Sequence, residues 1–218
     1  MKTLIVGAGG FGRELYWWLH SHADRIWAES FAGFLDDDLT ALAPFSDYSP
    51  GVIGRIADYQ PNAGDQFVLA IANPTTKLQI AESLEARGAK FATFVHSECI
   101  TVSNARMGRG CVLCPRAGLS CDVTIGNFVT INCYSGVAHD ARLDDGCTLS
   151  SYCDVMGGAQ LGRGVFLASH ACILPGVVIG NFAKVGAGSV TIRNVRPDTT
   201  VMGVPAARVA FEPKPSAS

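Results

Sequence analysis

Phe94 to Ser189 divides into sixes without a remainder: FVHSEC (94–99), ITVSNA (100–105), RMGRGC (106–111), VLCPRA (112–117), and onward through GVAHDA (136–141) and FLASHA (166–171) to KVGAGS (184–189). The second place of every hexad is Val, Ile, Leu or Met except at Thr101, and the sixth is always Ala, Cys, Ser or Val. A strand period of two or a helix period of 3.6 drifts out of phase within a few such units. A fixed short period predicts a β-solenoid. With three hexads per coil the section is triangular, and residue i lies over i+18 at the strand spacing of about 4.8 Å. The large second residue fills the prism and the small sixth fits beside it. Gly108, Gly126, Gly162, Gly180 and Gly186 share the third place, where the backbone is expected to bend.

Working outward, 218 residues suit one large domain or two small ones, and 48% hydrophobic content supplies a core. A formal net charge of −2 gives no electrostatic case for nucleic acid or an anionic membrane. The apolar run Leu4-Ile5-Val6 stops at a glycine cluster, short of a signal or membrane segment, so a cytoplasmic location is expected. Of eight cysteines, Cys99, Cys111, Cys147 and Cys153 hold inward sixth places and read as small apolar residues. Cys111 and Cys114 make one C-x2-C with no second pair to complete a zinc site, and no metal is expected.

Upstream, residues 2 to 12 read as an apolar strand and a G-x-G-x-x-G turn (Gly7, Gly9, Gly12), followed by a helix from Arg13 to His22. Such a turn aims backbone N–H groups at an anionic ligand, or merely permits a tight strand-to-helix connection. Ile26 to Leu35 reads as a second strand ending in Asp36-Asp37-Asp38, carboxylates placed for a ribose or base. Residues 39–65, with three prolines and three glycines, read as loop. Gln66 to Ala72 is a third strand, Asn73-Pro74-Thr75 opens a helix through Arg87 to Gly88, and Lys90 to Val95 is a further strand. Residues 1–93 thus form a Rossmann-like half, 94–211 the solenoid, and 212–218 a Pro/Ser-rich tail.

Within the solenoid, His139-Asp140 is the one histidine–acid neighbour pair. The carboxylate can fix the imidazole tautomer, and Gly157-Gly158 one coil above leaves expected space for a substrate. His170 aligns with Tyr134 and Tyr152 at eighteen-residue steps and reads as a corner ladder. Cys121 and Cys133, at outward fourth places, are the competing nucleophiles.

The VGAGGFGRE turn (6–14), FLDD (34–37), LAIAN (69–73), the hexads, His139-Asp140 and GVPAAR (203–208) together resemble one family. It is the hexapeptide-repeat acyltransferases containing sialic acid O-acetyltransferases and N-acetyltransferases of nucleotide-linked 4-amino-sugars. The resemblance implies an α/β Rossmann-like half followed by a left-handed parallel β-helix. It further implies acetyl-CoA as co-substrate, a nucleotide-sugar acceptor, a homotrimer, and His139 as general base beside Asp140. By matching, acetyl-CoA contacts fall at Gly157, Ser169 and Ala187, and nucleotide-sugar contacts at Gly9, Gly10, Phe11, Asp36 and Asp37. Two positions depart from common relatives: Phe11 and Thr148 stand where histidines occur. Phe11 removes a polar contact near the sugar, and Thr148 implies a different hold on the pantetheine end. Carboxylates at Asp36 and Asp37 favour a nucleotide-linked amino-sugar over sialic acid, which brings its own negative charge. O-acetylation stays open, as do an NAD-dependent oxidoreductase and a non-enzymatic scaffold.

Overall fold

A computed structural model describes residues 1–23 and 25–209; the expected tail at 212–218 lies outside the described residues. The N-terminal part is a four-stranded parallel sheet in the order β3 (Val52–Gly54), β2 (Phe31–Leu35), β1 (Lys2–Val6), β4 (Asp65–Leu69). Strand β1, inside the sheet, is buried after Lys2 and apolar from Leu4 to Val6, as a parallel strand covered on both faces must be, with the Thr3 hydroxyl hydrogen-bonded to Ser30 and Gln66. Helix α1 (Gly10–Ser21) buries Leu15 and Leu19 against it. Helix α3 (Pro74–Ala86) starts at Asn73, whose side chain accepts from the Thr76 N–H at 3.1 Å, with Pro74 in the first turn.

Four local readings differ from expectation. Ile26–Ser30 is a short helix, α2, closed by Glu29 N–H donating to the Arg25 carbonyl, and the strand begins only at Phe31. Its five residues lack the alternation of a strand. Within the expected loop, Val52–Gly54 forms the edge strand β3, too short for a periodic signal. Strand β4 ends at Leu69 rather than Ala72, and Lys90–Val95 contributes only a bridge at Phe91 and the pair Phe94–Val95.

Phe94–Val95 opens the solenoid, pairing in parallel with Val112–Leu113. From there two-residue strands recur every hexad and pair eighteen residues apart, as Thr130↔Thr148 and Ile131↔Leu149. Three sheets form the sides of a prism, and the Ala207–Arg208 strand turns back antiparallel at the end. Inside, Leu113, Leu119, Ile125, Ile131, Val137, Leu143 and their successors are buried together with Cys111, Cys147 and Cys153. Burial pushes the Cys147 thiol up to about 12 and the Cys111 and Cys153 thiols to about 11, so these sulfurs stay protonated and inert.

The corner differs in detail from the sequence reading. The left-handed backbone sits at the fifth place of the hexad, where Arg116, Asp122, Phe128, Tyr134, Asp140, Tyr152, His170 and Phe182 have φ between 54° and 62°. The third-place glycines serve close approach instead. A Cβ on Gly108 would lie 2.6 Å from the Gly126 carbonyl of the next coil.

The two parts share cores. Phe128 packs with Leu78 and Phe91, and Val112 and Cys114 pack with Leu15 and Phe94. At the centre of this junction Lys77 of α3 is buried without a carboxylate. Its Nζ donates to Thr148 Oγ1 (2.7 Å), Thr130 Oγ1 (3.1 Å) and the Cys147 carbonyl (3.1 Å). Desolvation pushes its pKa down to about 7. The unfolded chain therefore binds more protons than the folded one between pH 7 and the ordinary lysine value of 10.5, and stability rises with pH across that window. Comparing wild type with Lys77→Met between pH 7 and 8.5 isolates this group, because the unfolded cysteines titrate alike in both proteins and cancel in the difference. Wild-type stability should gain up to about 1.4 kcal/mol per pH unit relative to the variant in urea titrations. A difference that does not change with pH contradicts it.

Candidate active site

The prism has three edges, and the candidate residues fall on two of them. One edge carries, coil above coil, Cys121-Asp122, His139-Asp140, Gly157-Gly158 and Pro175-Gly176. The adjacent edge carries Cys133-Tyr134, Ser151-Tyr152, Ser169-His170 and Ala187-Gly188. The sheet between them exposes an apolar groove of about 430 Å³ lined by Ile100, Val102, Leu119, Ala138 and Met156.

His139 projects from its corner with its side chain 63% exposed. Asp140, in the left-handed conformation at φ 62°, turns back to it, and His139 Nδ1 lies 2.8 Å from Asp140 Oδ2. A carboxylate only accepts, so Nδ1 carries the proton and donates, and Nε2 is left with its lone pair. Gly157 does not create open space as expected. A Cβ there would lie 2.6 Å from His139 Cε1 and 2.8 Å from Nε2, so the imidazole itself rests on the glycine. Gly158 faces open space, with nothing within 4 Å of a would-be Cβ. The arrangement is an oriented base on an uncluttered ledge. The rival nucleophile Cys121 is exposed, and the hydrogen bond recorded at its sulfur comes from Ser120 Oγ at 3.9 Å.

Of the expected acetyl-CoA contacts, Gly157 is beside His139, whereas Ser169 and Ala187 stack on the neighbouring edge, one side of the prism away. That edge also holds the expected ladder. The rings of Tyr134, Tyr152 and His170 are parallel within 1° at 4.9 Å spacing, and Arg116 covers Tyr134. Thr148 is buried under α3 as an acceptor for Lys77, which leaves its side chain no surface to offer a pantetheine arm, so the role expected of it there does not fit.

The expected nucleotide contacts gather at the C-terminal end of β1 and β2. Gly7, at φ 102°, and Gly12, against the Gly7 carbonyl, are needed by the tight turn. Gly9 and Gly10 are not: nothing lies within 4 Å of a Cβ on either, and both face solvent at the start of α1. Asp36 Oδ2 accepts from the Ala8 N–H at 2.7 Å and Oδ1 from the Asp38 N–H, which pins the turn to the end of β2. Asp37 Oδ1 accepts from the Ala57 N–H at 3.0 Å. Phe11 packs edge-on against Trp18 and offers no polar atom. Among the other histidines, His22 bonds the Val95 carbonyl, His20 the Tyr16 carbonyl, and His96 is buried with desolvation lowering its pKa. Among the described residues no group of three His, Cys, Asp or Glu is placed to hold a metal ion, and no helix is long and apolar enough to cross a membrane.

No protein-family profile matches the chain. A GDP-perosamine N-acetyltransferase of Escherichia coli O157:H7 is 27% identical over 136 residues, 62% of this chain and 61% of that protein, so the match spans about three fifths of the relative. PerB from Caulobacter crescentus, solved with CoA and GDP-perosamine, aligns at a TM-score of 0.85 and 25% identity, over 96% of this chain and 98% of that one. The acetyltransferase domain of PglB from Neisseria gonorrhoeae FA1090 aligns at 0.83 and 24%, over 95% and 99%. The fold is thus the left-handed parallel β-helix behind a Rossmann-like half, and the likeness read from the sequence to nucleotide-amino-sugar N-acetyltransferases of the hexapeptide-repeat kind holds.

Proposed function

We propose that this chain is an acetyl-CoA-dependent N-acetyltransferase acting on the amino group of a nucleotide-linked amino-sugar. Residues 1–93 hold the nucleotide-sugar and 94–211 carry the chemistry. The observation that carries the reading is the His139-Asp140 pair seated on Gly157, with Nδ1 held at 2.8 Å and Nε2 free on an exposed edge. The relatives' substrates point to the same class: a GDP-perosamine N-acetyltransferase and PerB bound to CoA and GDP-perosamine.

The acceptor amine enters uncharged, since an ammonium has no lone pair. Its nitrogen attacks the thioester carbonyl carbon while His139 Nε2 takes a proton from it. Asp140 holds the imidazolium that forms. The carbon–sulfur bond then breaks, the imidazolium returns the proton to the departing sulfur, and an amide and CoA thiol leave. No covalent enzyme intermediate is required. Gly9 and Gly10, open at the start of α1, supply backbone N–H groups for the nucleotide's phosphates. Asp36 acts first as the brace of that turn.

We place the site between subunits of a homotrimer. In one chain the nucleotide turn and the Ser169–Ala187 edge lie across a side of the prism from His139, and the intervening sheet leaves Ile100 73% exposed beside an apolar groove. Light scattering under assay conditions should give three times the chain mass; an active monomer contradicts this arrangement. We place the enzyme in the cytoplasm, which suits eight cysteines that are all free thiols.

The function is tested by thermal shift with UDP-, GDP- and dTDP-linked amino-sugars against CMP-sialic acid and free sialic acid. At least one amino-sugar nucleotide should stabilise the protein and support thiol release from acetyl-CoA. Stabilisation by a sialic acid alone, unaffected by Asp36→Ala, contradicts the assignment.

A further inference from the structure

We propose that Cys133 and Cys114 form a reversible oxidation site, in which Cys133 takes an oxygen from a hydroperoxide and Cys114 then closes a disulfide with it. The site lies apart from the acetyl-transfer chemistry and does not rest on that reading. The two residues belong to neighbouring coils. Leu113 pairs with Ile131, and the Cys114 N–H donates to the Ile131 carbonyl at 2.9 Å. Asn132 therefore lies over Cys114, and Cys133 is one position further on. One strand spacing and one residue step set their Cα atoms about 6 Å apart. That matches the usual separation across a disulfide, about 5.5–6 Å. Both side chains leave the prism and join the packed cluster beneath α1 that holds Leu15 and Phe94. There the Cys114 thiol donates a hydrogen bond to the Cys133 sulfur.

The two thiols are unequal, as such a couple requires. Cys133 is half-buried and open to a small oxidant, whereas Cys114 is fully buried. The bond from Cys114 draws the Cys133 pKa below the ordinary thiol value, against burial and the nearby Glu14 carboxylate. Burial, together with the same bond, holds Cys114 well above it. Cys133 is thus the sulfur that meets oxidant as thiolate, with a second thiol already in contact. The neighbouring cysteines lack one condition or the other. Cys121 is exposed, but the hydrogen bond recorded at its sulfur comes from Ser120 and not from a thiol. Cys99 donates its thiol to the Cys114 carbonyl at 3.1 Å, and burial pushes its pKa up to about 11.

The steps balance. The Cys133 thiolate attacks one peroxide oxygen; a sulfur–oxygen bond forms and the oxygen–oxygen bond breaks. The departing oxygen keeps the electron pair, takes up the proton Cys133 has lost, and leaves as water or an alcohol. Cys133 is now a sulfenic acid, oxidised by two electrons. The Cys114 sulfur attacks it, the sulfur–sulfur bond forms and the sulfur–oxygen bond breaks. Hydroxide leaves with the Cys114 proton as water. Two thiols and one hydroperoxide become one disulfide, one water and one water or alcohol, and an external thiol reverses the change.

Trypsin cuts after Arg116 and so puts Cys114 and Cys133 on separate peptides. The intact protein is treated with a small excess of hydrogen peroxide, remaining thiols are blocked with iodoacetamide, and the digest is mapped by mass spectrometry without reductant. The two peptides that flank Arg116 should appear joined, and dithiothreitol should separate them. Cys111 and Cys121 share those peptides, so the join should persist in Cys111→Ser and Cys121→Ser and vanish in Cys114→Ser and Cys133→Ser. In Cys114→Ser, dimedone, which traps sulfenic acids, should mark Cys133 more heavily than in wild type. The wild-type map alone decides whether the bond forms, so a variant that folds poorly leaves the test intact. Absence of the joined pair in peroxide-treated wild type, whatever else is oxidised, overturns the proposal. So does a join that survives Cys133→Ser, or one that runs from Cys133 to Cys99.

Discussion

A His139→Ala variant is expected to lose roughly 10²–10⁴-fold in kcat, the usual contribution of a positioned general base, with its thermal midpoint unchanged. The side chain is 63% exposed, and its one recorded side-chain hydrogen bond is to Asp140, so its removal leaves no cavity and no buried orphan. The loss falls on kcat because the imidazole acts on the proton that moves in the transition state and not on substrate binding. Cys121→Ser is the companion variant and should retain nearly full activity. The opposite pattern, an inactive Cys121→Ser beside an active His139→Ala, means an acyl-cysteine route and contradicts direct transfer. Asp140→Asn should fall between wild type and His139→Ala, since an amide no longer fixes the Nδ1 proton.

Gly157→Ala is expected to lower kcat by about 10²-fold without unfolding the protein. The backbone there needs no positive φ, so alanine is tolerated by the coil. The added methyl, however, would stand 2.6 Å from His139 Cε1 and 2.8 Å from Nε2, inside any real contact distance. The exposed ring yields, not the backbone, and swings away from both Asp140 and the acceptor. Circular dichroism and the melting midpoint should match wild type. The neighbouring Gly158→Ala sits at φ 66°, a strain that other fifth places already bear with side chains, and faces open space, so it should instead change KM more than kcat. A Gly157→Ala enzyme within threefold of wild-type kcat would show that the base does not act from this position.

The solenoid was legible because its period is enforced at every coil. A large residue must fill the prism and a small one must fit beside it, so the pattern repeats sixteen times from Phe94 to Ser189. The site was legible because position in the hexad fixes direction, which puts His139 outward and Gly157 directly above it. The corner geometry was misplaced. The left-handed fifth place is glycine in six hexads, at Gly110, Gly146, Gly158, Gly164, Gly176 and Gly188, but it also accepts Tyr, Phe, Asp and His, and that mixture masks it beside the five third-place glycines. Thr148 was misread for a related reason. Its partner Lys77 lies on a helix 71 positions away, and nothing local announces that the two domains are joined there. In the glycine turn the sequence could not separate structural from exposed glycines. The backbone does so, with Gly7 and Gly12 constrained and Gly9 and Gly10 open.

The most direct test is the chemistry of the product. Purified protein is incubated with acetyl-CoA and each amino-sugar nucleotide, thiol release is followed, and the product is analysed by mass spectrometry before and after mild alkali. The account predicts one acetyl group per thiol released, on the sugar nitrogen, as an amide that survives alkali, and its loss in His139→Ala. An acetyl group that alkali removes, an ester on a hydroxyl, or thiol release that needs no amino-sugar nucleotide, would contradict it.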